Sequence, residues 1–129
     1  LSARLCLVLA AGYGLTAVAL GALGAHAIKD LLGPDGLSTW QTASQYQMWH
    51  ALALLSVGIW MAHGGPKRLG LVAWMFSLGI LLFSGSLYGL TLGSLSWLGP
   101  LTPIGGLMLI LGWVTIGLSV IKADRVNAP

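Results

Sequence analysis

Charge is what this chain has least of. Six basic and three acidic residues are all the formal charges in 129 positions, whereas a soluble domain carries about a quarter. With 57 % hydrophobic residues beside them, nine charges cannot build a hydrated surface, so most of the exterior must face lipid. A single cysteine, Cys6, excludes an intramolecular disulfide and a multi-cysteine metal site. In its apolar run it reads as a small buried hydrophobe. Acids are scarcer still, and no carboxylate lies in an apolar run to carry protons or orient a histidine. A net charge of +3, spread along the chain, does not describe a nucleic-acid surface.

The long uncharged runs set the architecture. Leu5 to Ile28 holds no formal charge and is long enough to cross about 30 Å of hydrocarbon. Lys29-Asp30 and Gly33-Pro34-Asp35-Gly36 break it. Ser38 or Thr39 is expected to cap a second helix that ends near Ala62. His63-Gly64-Gly65-Pro66-Lys67-Arg68 follows as a compact turn. From Leu69 to Ile121 there is again no charge, yet one helix of that length would be about 80 Å long, too long for one crossing. The break belongs in Gly93 to Pro103, where Thr102-Pro103 has the form of an N-cap and first helical residue. The fold expected is all-α, an integral membrane four-helix bundle forming one domain, with spans of about 5–28, 39–62, 69–92 and 104–121. Ala25-His26-Ala27 also resembles a signal cleavage site, but the preceding run is longer than a signal core.

Four spans put Arg4, Lys67, Arg68, Lys122 and Arg125 on one side and Lys29 on the other. Basic short loops are retained in the cytoplasm, so both termini are expected there. Arg4, Lys67, Arg68 and Arg125 could also meet lipid headgroups. Trp40, Trp97 and Tyr88 are expected as aromatic anchors at the outer interface, and Trp60 at the inner one. Small residues four apart, Gly85, Gly89 and Gly93 on the third span and Ala17, Gly21 and Ala25 on the first, are expected to be helix-packing faces. They would serve the bundle itself, a homo-oligomer or a larger membrane complex.

Polar residues gather in the outer half. Thr42, Tyr46 and His50 stand four apart on one face of the second span, with Gln47 pointing elsewhere. An ionisable group near the midplane, as His50 would be, is a functional candidate unless it is simply bonded to another helix. His26 closes the first span, Ser84, Ser86 and Tyr88 lie on the third, and Thr102 opens the fourth. Three or four ligands from one locality are not found, so no metal is expected. Ser84 or Ser86 with a histidine would lack its orienting acid, so no catalytic residue and no cofactor are assigned.

Several of these segments resemble a known family. Gly21-Ala22-Leu23-Gly24-Ala25-His26-Ala27, Trp40-Gln41-Thr42-Ala43 with Tyr46, His50-Ala51-Leu52-Ala53-Leu54-Leu55, Phe83-Ser84-Gly85-Ser86-Leu87-Tyr88 and Thr102-Pro103-Ile104-Gly105-Gly106 are similar to the small membrane proteins grouped as domain of unknown function 423, related to animal transmembrane protein 256. The resemblance implies a multi-span protein of the bacterial inner membrane without an established activity, and its motifs fall on the polar layer. The expected function is non-enzymatic: binding a partner, a lipid or a small hydrophobic molecule through helical surfaces. The alternative is a small oligomeric transporter or channel lined by Tyr46, His50 and Ser84.

Overall fold

The computed structural model describes residues 1–93 and 95–126, and side chains as far as Ile121. The side chains of Lys122 and Arg125 therefore lie outside the described residues. Four helices carry the chain: α1 (Ala3–His26), α2 (Lys29–Ala62), α3 (Leu69–Leu92) and α4 (Leu101–Val126), with one 3₁₀ turn at Ser96–Leu98. The all-α, four-helix expectation is met. α1, α3 and the stretch Ser96–Ile121 are long and apolar enough to cross a membrane. α2 has the length but a more polar sequence.

The largest departure is at the start of α2. Helical geometry breaks at Gly33, whose φ of 66° and ψ of 178° suit a residue without a β-carbon. Pro34 then opens the next turn, where its missing N–H costs nothing. The segment expected to be a loop is therefore helical up to that single break. Ser38 and Thr39 are not caps. The Thr39 hydroxyl donates to the Asp35 carbonyl at 3.1 Å, the bond of a residue inside a helix. α1 stops at His26, and α4 starts at Leu101 with Pro103 in its first turn.

The helices alternate in direction. Cys6 meets Leu54 and Gly24 meets Trp40, Tyr88 meets Gln47, and Ser86 meets Thr102 while Gly79 meets Leu109. Each pair rises along one helix as it descends the next, so the start of α1 and the end of α4 lie at one end of the bundle. α2 and α3 form the middle, α1 packs on α2, and α4 packs on α3.

The seams repeat every three and four residues. α2 buries Trp40, Ala43, Gln47, His50, Leu54 and Val57, the spacing of a left-handed helix pair. On α1 the small buried residues Ala10, Ala17 and Gly24 stand seven apart. α4 does the same with Gly105, Gly112 and Ser119. A β-carbon on Gly105 would fall 2.8 Å from the Leu82 carbonyl carbon, and one on Gly112 would fall 2.5 Å from the Phe76 ring. Backbones thus approach closely where small residues permit it. The four-residue faces expected from the sequence are only partly the seams. Ala17 is buried and Gly21 touches Ser44, but Ala25 is exposed. Gly89 lies under Leu98, whereas Gly85 and Gly93 have open space before them. A period of four drifts around a helix, while the antiparallel contact follows a period of 3.5.

Candidate functional site

The polar residues expected as one layer fall into three separate groups. The first centres on Gln47, which was expected to point elsewhere and instead faces the bundle interior. Its side chain is 4 % exposed, and its amide is fully engaged. Nε2 donates to the Tyr13 carbonyl at 3.0 Å and to Thr16 Oγ1 at 2.7 Å, while Oε1 accepts from the Tyr88 hydroxyl at 3.0 Å. One amide therefore ties α1, α2 and α3 together. The signal was available: Trp40, Gln47 and Leu54 are seven apart, so Gln47 belongs to the buried seam.

Trp40 joins this group rather than the lipid interface. It is buried, its indole N–H donates to the Leu20 carbonyl at 2.7 Å, and its ring lies 4.6 Å from that of Tyr88. Gly24 makes room for it on α1. Of the expected anchors, Trp97 is 67 % exposed and free to serve as one, whereas Trp60 is partly buried against the core.

The second group is built on His50. Its Nδ1 lies 2.8 Å from the Tyr46 carbonyl, which can only accept, so Nδ1 carries the proton. Nε2 then accepts from the Trp113 indole N–H at 3.1 Å. Both ring nitrogens are used, and the neutral imidazole links α2 to α4. Phe76 and Trp113 meet its ring edge-on, and Tyr46 stacks at a 6.0 Å centroid distance. The third group joins α3 to α4: Thr102 and Ser86 share a hydrogen at 2.7 Å, and Ser86 also reaches the Phe83 carbonyl at 2.9 Å.

The remaining expected residues stand apart. Thr42 donates to the Ser38 carbonyl of its own helix at 3.1 Å. The Ser84 hydroxyl is buried without a partner, as is that of Ser77. His26 is exposed at the end of α1, a helix end away from His50. Among the described residues, no three His, Cys, Asp or Glu side chains come together as a metal site would need. Arg4, Lys67 and Arg68 are exposed, and all three lie at the end of the bundle that holds the N-terminus.

Between α1 and α3 runs a groove of about 560 Å³ that the sequence did not announce. Val8, Leu9, Gly12, Tyr13, Thr16 and Leu20 form one wall; Ile80, Leu81, Gly85 and Tyr88 form the other; Gln47 is the floor. It exists because α1 leans on α2 and scarcely touches α3. The Tyr13 hydroxyl, donating to the Ser77 carbonyl at 3.0 Å, is the one side-chain hydrogen bond between them. Gly12 and Gly85 add no side chain to the walls. Val8 and Leu81 are 60 % and 56 % exposed, so the groove opens sideways toward lipid. Its polar atoms are already paired: the Gln47 amide, both tyrosine hydroxyls, and Thr16, which donates to the Gly12 carbonyl at 2.8 Å. An occupant would meet hydrocarbon and satisfied polar groups.

Residues 20–106 match the family model described as Protein of unknown function (DUF423). The chain is 38 % identical over 120 residues to the UPF0382 membrane protein YwdK of Bacillus subtilis, covering 92 % of this chain and 98 % of that protein. A UPF0382 membrane protein of Staphylococcus epidermidis is 37 % identical over 119 residues, covering 92 % and 97 %. One from Haemophilus influenzae is 37 % identical over 118 residues, covering 91 % and 94 %. No solved structure matches the chain.

Proposed function

This chain belongs to the DUF423 family, the UPF0382 membrane proteins, whose function is unknown, and on that premise we propose that it is a non-enzymatic protein that holds a single hydrocarbon chain of a membrane lipid in the groove between α1 and α3. All four helices cross the bilayer in this reading. The observation that carries it is an apolar, lipid-facing cavity of about 560 Å³ whose every polar lining group is already hydrogen-bonded. Ligand sites are commonly concave and apolar with a few placed polar groups. Here those groups hold the walls together and offer nothing further, which favours an acyl or isoprenoid chain over a ligand with a polar centre. Each methylene moved out of water on binding such a site would gain about 0.8 kcal/mol, but a chain already in lipid gains only packing. Selectivity would thus come from shape.

A photoreactive phospholipid with a diazirine in its acyl chain, incorporated in nanodiscs with the full chain, tests this reading. Adducts are expected on Val8, Leu81 and their neighbours, and Gly85→Phe, which fills the groove, should reduce them several-fold. Adducts spread evenly over α4 and α1, unchanged in Gly85→Phe, would end the proposal.

A transport path through Tyr46, His50 and Ser84 has less support. The His50 ring is locked by two hydrogen bonds, and the Ser84 oxygen is sealed from any cavity.

A further inference from the structure

α2 is the most polar of the four helices, yet it does not hide all of its polarity. Its buried seam is fully used, as described above. On its opposite side Ser38, Gln41, Gln45, Trp49, Leu52, Ser56 and Ile59 are exposed or nearly so. These residues recur at intervals of three and four, so α2 carries a second contact face of the same period as its first. The other helices turn apolar residues outward, such as Leu15 and Val18 on α1, Leu71 and Leu81 on α3, and Leu107 and Ile110 on α4. Among the described residues, only α2 turns carboxamides outward.

Their depth makes this costly. Gln47 bonds to Tyr13 and Thr16, which sit at the middle of the 24-residue α1. Gln45 is two residues away, about 3 Å along the axis. Tyr46, its neighbour, packs on Phe83 near the middle of α3. Gln45 therefore lies deep in the hydrocarbon, and Gln41 about one turn nearer the surface. The side chains of Thr39, Trp40, Thr42, Ser44, Gln47 and His50 in this stretch all hydrogen-bond. Gln41 and Gln45 have no partner among the described residues. An amide facing acyl chains has no water to bond, and such side chains join helices in membranes.

We infer that the outward face of α2 is the interface of a homodimer, in which Gln45 pairs with Gln45 of a second copy across a two-fold axis along the membrane normal. The partner is a second copy because of the chemistry of the group. A carboxamide carries a donor and an acceptor, so two of them satisfy each other in a closed pair of N–H···O bonds. A two-fold axis brings each surface against itself, and two copies with the same topology place Gln45 against Gln45 at equal depth. Gln41 meets its own counterpart one turn away, and the Trp49 rings flank the pair on the other side. The groove has its walls on α1 and α3 and its floor on the opposite, buried side of α2, so it stays open in the dimer.

Single-molecule subunit counting in liposomes, over a range of protein-to-lipid ratios, measures the association. The wild type is expected to dimerise, and Gln45→Leu should weaken the dimer about tenfold, with Gln45→Asn recovering part of the loss. Disulfide trapping supplies a readout that keeps the glutamines in place. In a Cys6→Ala background, Leu52→Cys and Ser56→Cys should cross-link to themselves, and Leu107→Cys on α4 should not. A wild-type chain that stays monomeric would overturn the inference. So would a dimer indifferent to Gln45→Leu, or one trapped through α4.

Discussion

Replacing Gln47 by leucine keeps most of the side-chain volume and removes an amide that holds three helices. The Tyr88 hydroxyl would lose its acceptor, and Thr16 and the Tyr13 carbonyl would lose a donor. Interhelical bonds in membranes are worth less than their burial suggests, because the unfolded chain in lipid also finds partners. Three of them together should still cost about 2 kcal/mol, read as a lower unfolding midpoint in an SDS titration. Ser84→Ala should behave in the opposite way. The Ser84 hydroxyl is buried with no partner, so removing it relieves an unpaired group at almost no change in volume. The variant should be as stable as the parent, or up to about 1 kcal/mol more stable. Two polar residues on neighbouring helices thus differ in sign, and neither residue type reveals which is which. The accounting of partners does.

At the scale of elements, the glycines divide by what stands opposite them. A β-carbon at Gly105 would meet the α3 backbone at Leu82 and Phe83, which cannot swing aside as a flexible side chain would. Gly105→Ala should separate α3 from α4 at a cost of about 1–3 kcal/mol, seen in the same SDS titration. Gly85→Ala meets nothing within 4 Å and should be neutral or stabilising by up to about 1 kcal/mol, since alanine favours the helix. The sequence had ranked Gly85 as a packing residue because it stands in a four-residue repeat with Gly89 and Gly93. The helices themselves were legible. Absence of charge placed α1 and α4 to within a few residues, and α3 runs from Leu69 to Leu92, as the uncharged run and the glycine-rich break implied. What the sequence hid was the face each helix presents. Small residues occur at both four- and seven-residue spacings, and only the antiparallel contacts select the second. Gln47, Trp40 and the groove between α1 and α3 all follow from that choice. His50 was found at once because an imidazole stands out at membrane depth, but its two partners, the Tyr46 carbonyl of its own helix and the Trp113 indole on α4, are not marked by any motif.

For the whole molecule, the four alternating helices fix one relation and leave another to charge. The start of α1 and the end of α4 share one side with the 63–68 turn, because Leu1 packs against Gly70 and neighbouring helices run in opposite directions. Which side this is depends on the basic residues: Arg4, Lys67, Arg68, Lys122 and Arg125 against Lys29. Retention of basic loops would place the first set in the cytoplasm, since Asp30 and Asp35 on the other side carry little weight. A single cysteine introduced at His63 in a Cys6→Ala background should then resist a membrane-impermeant maleimide in intact cells and react once the inner membrane is opened. One at Gly36 should react from outside. Arg4→Gln, Lys67→Gln and Arg68→Gln together would leave Lys122 and Arg125 against Lys29. The bias would shrink from five against one to two against one, and a mixture of orientations should follow. Labelling of His63→Cys from outside in the unaltered charge background would reverse the assignment. It would leave the groove and the α2 face intact, because both depend on how the helices pack and not on which way the bundle points.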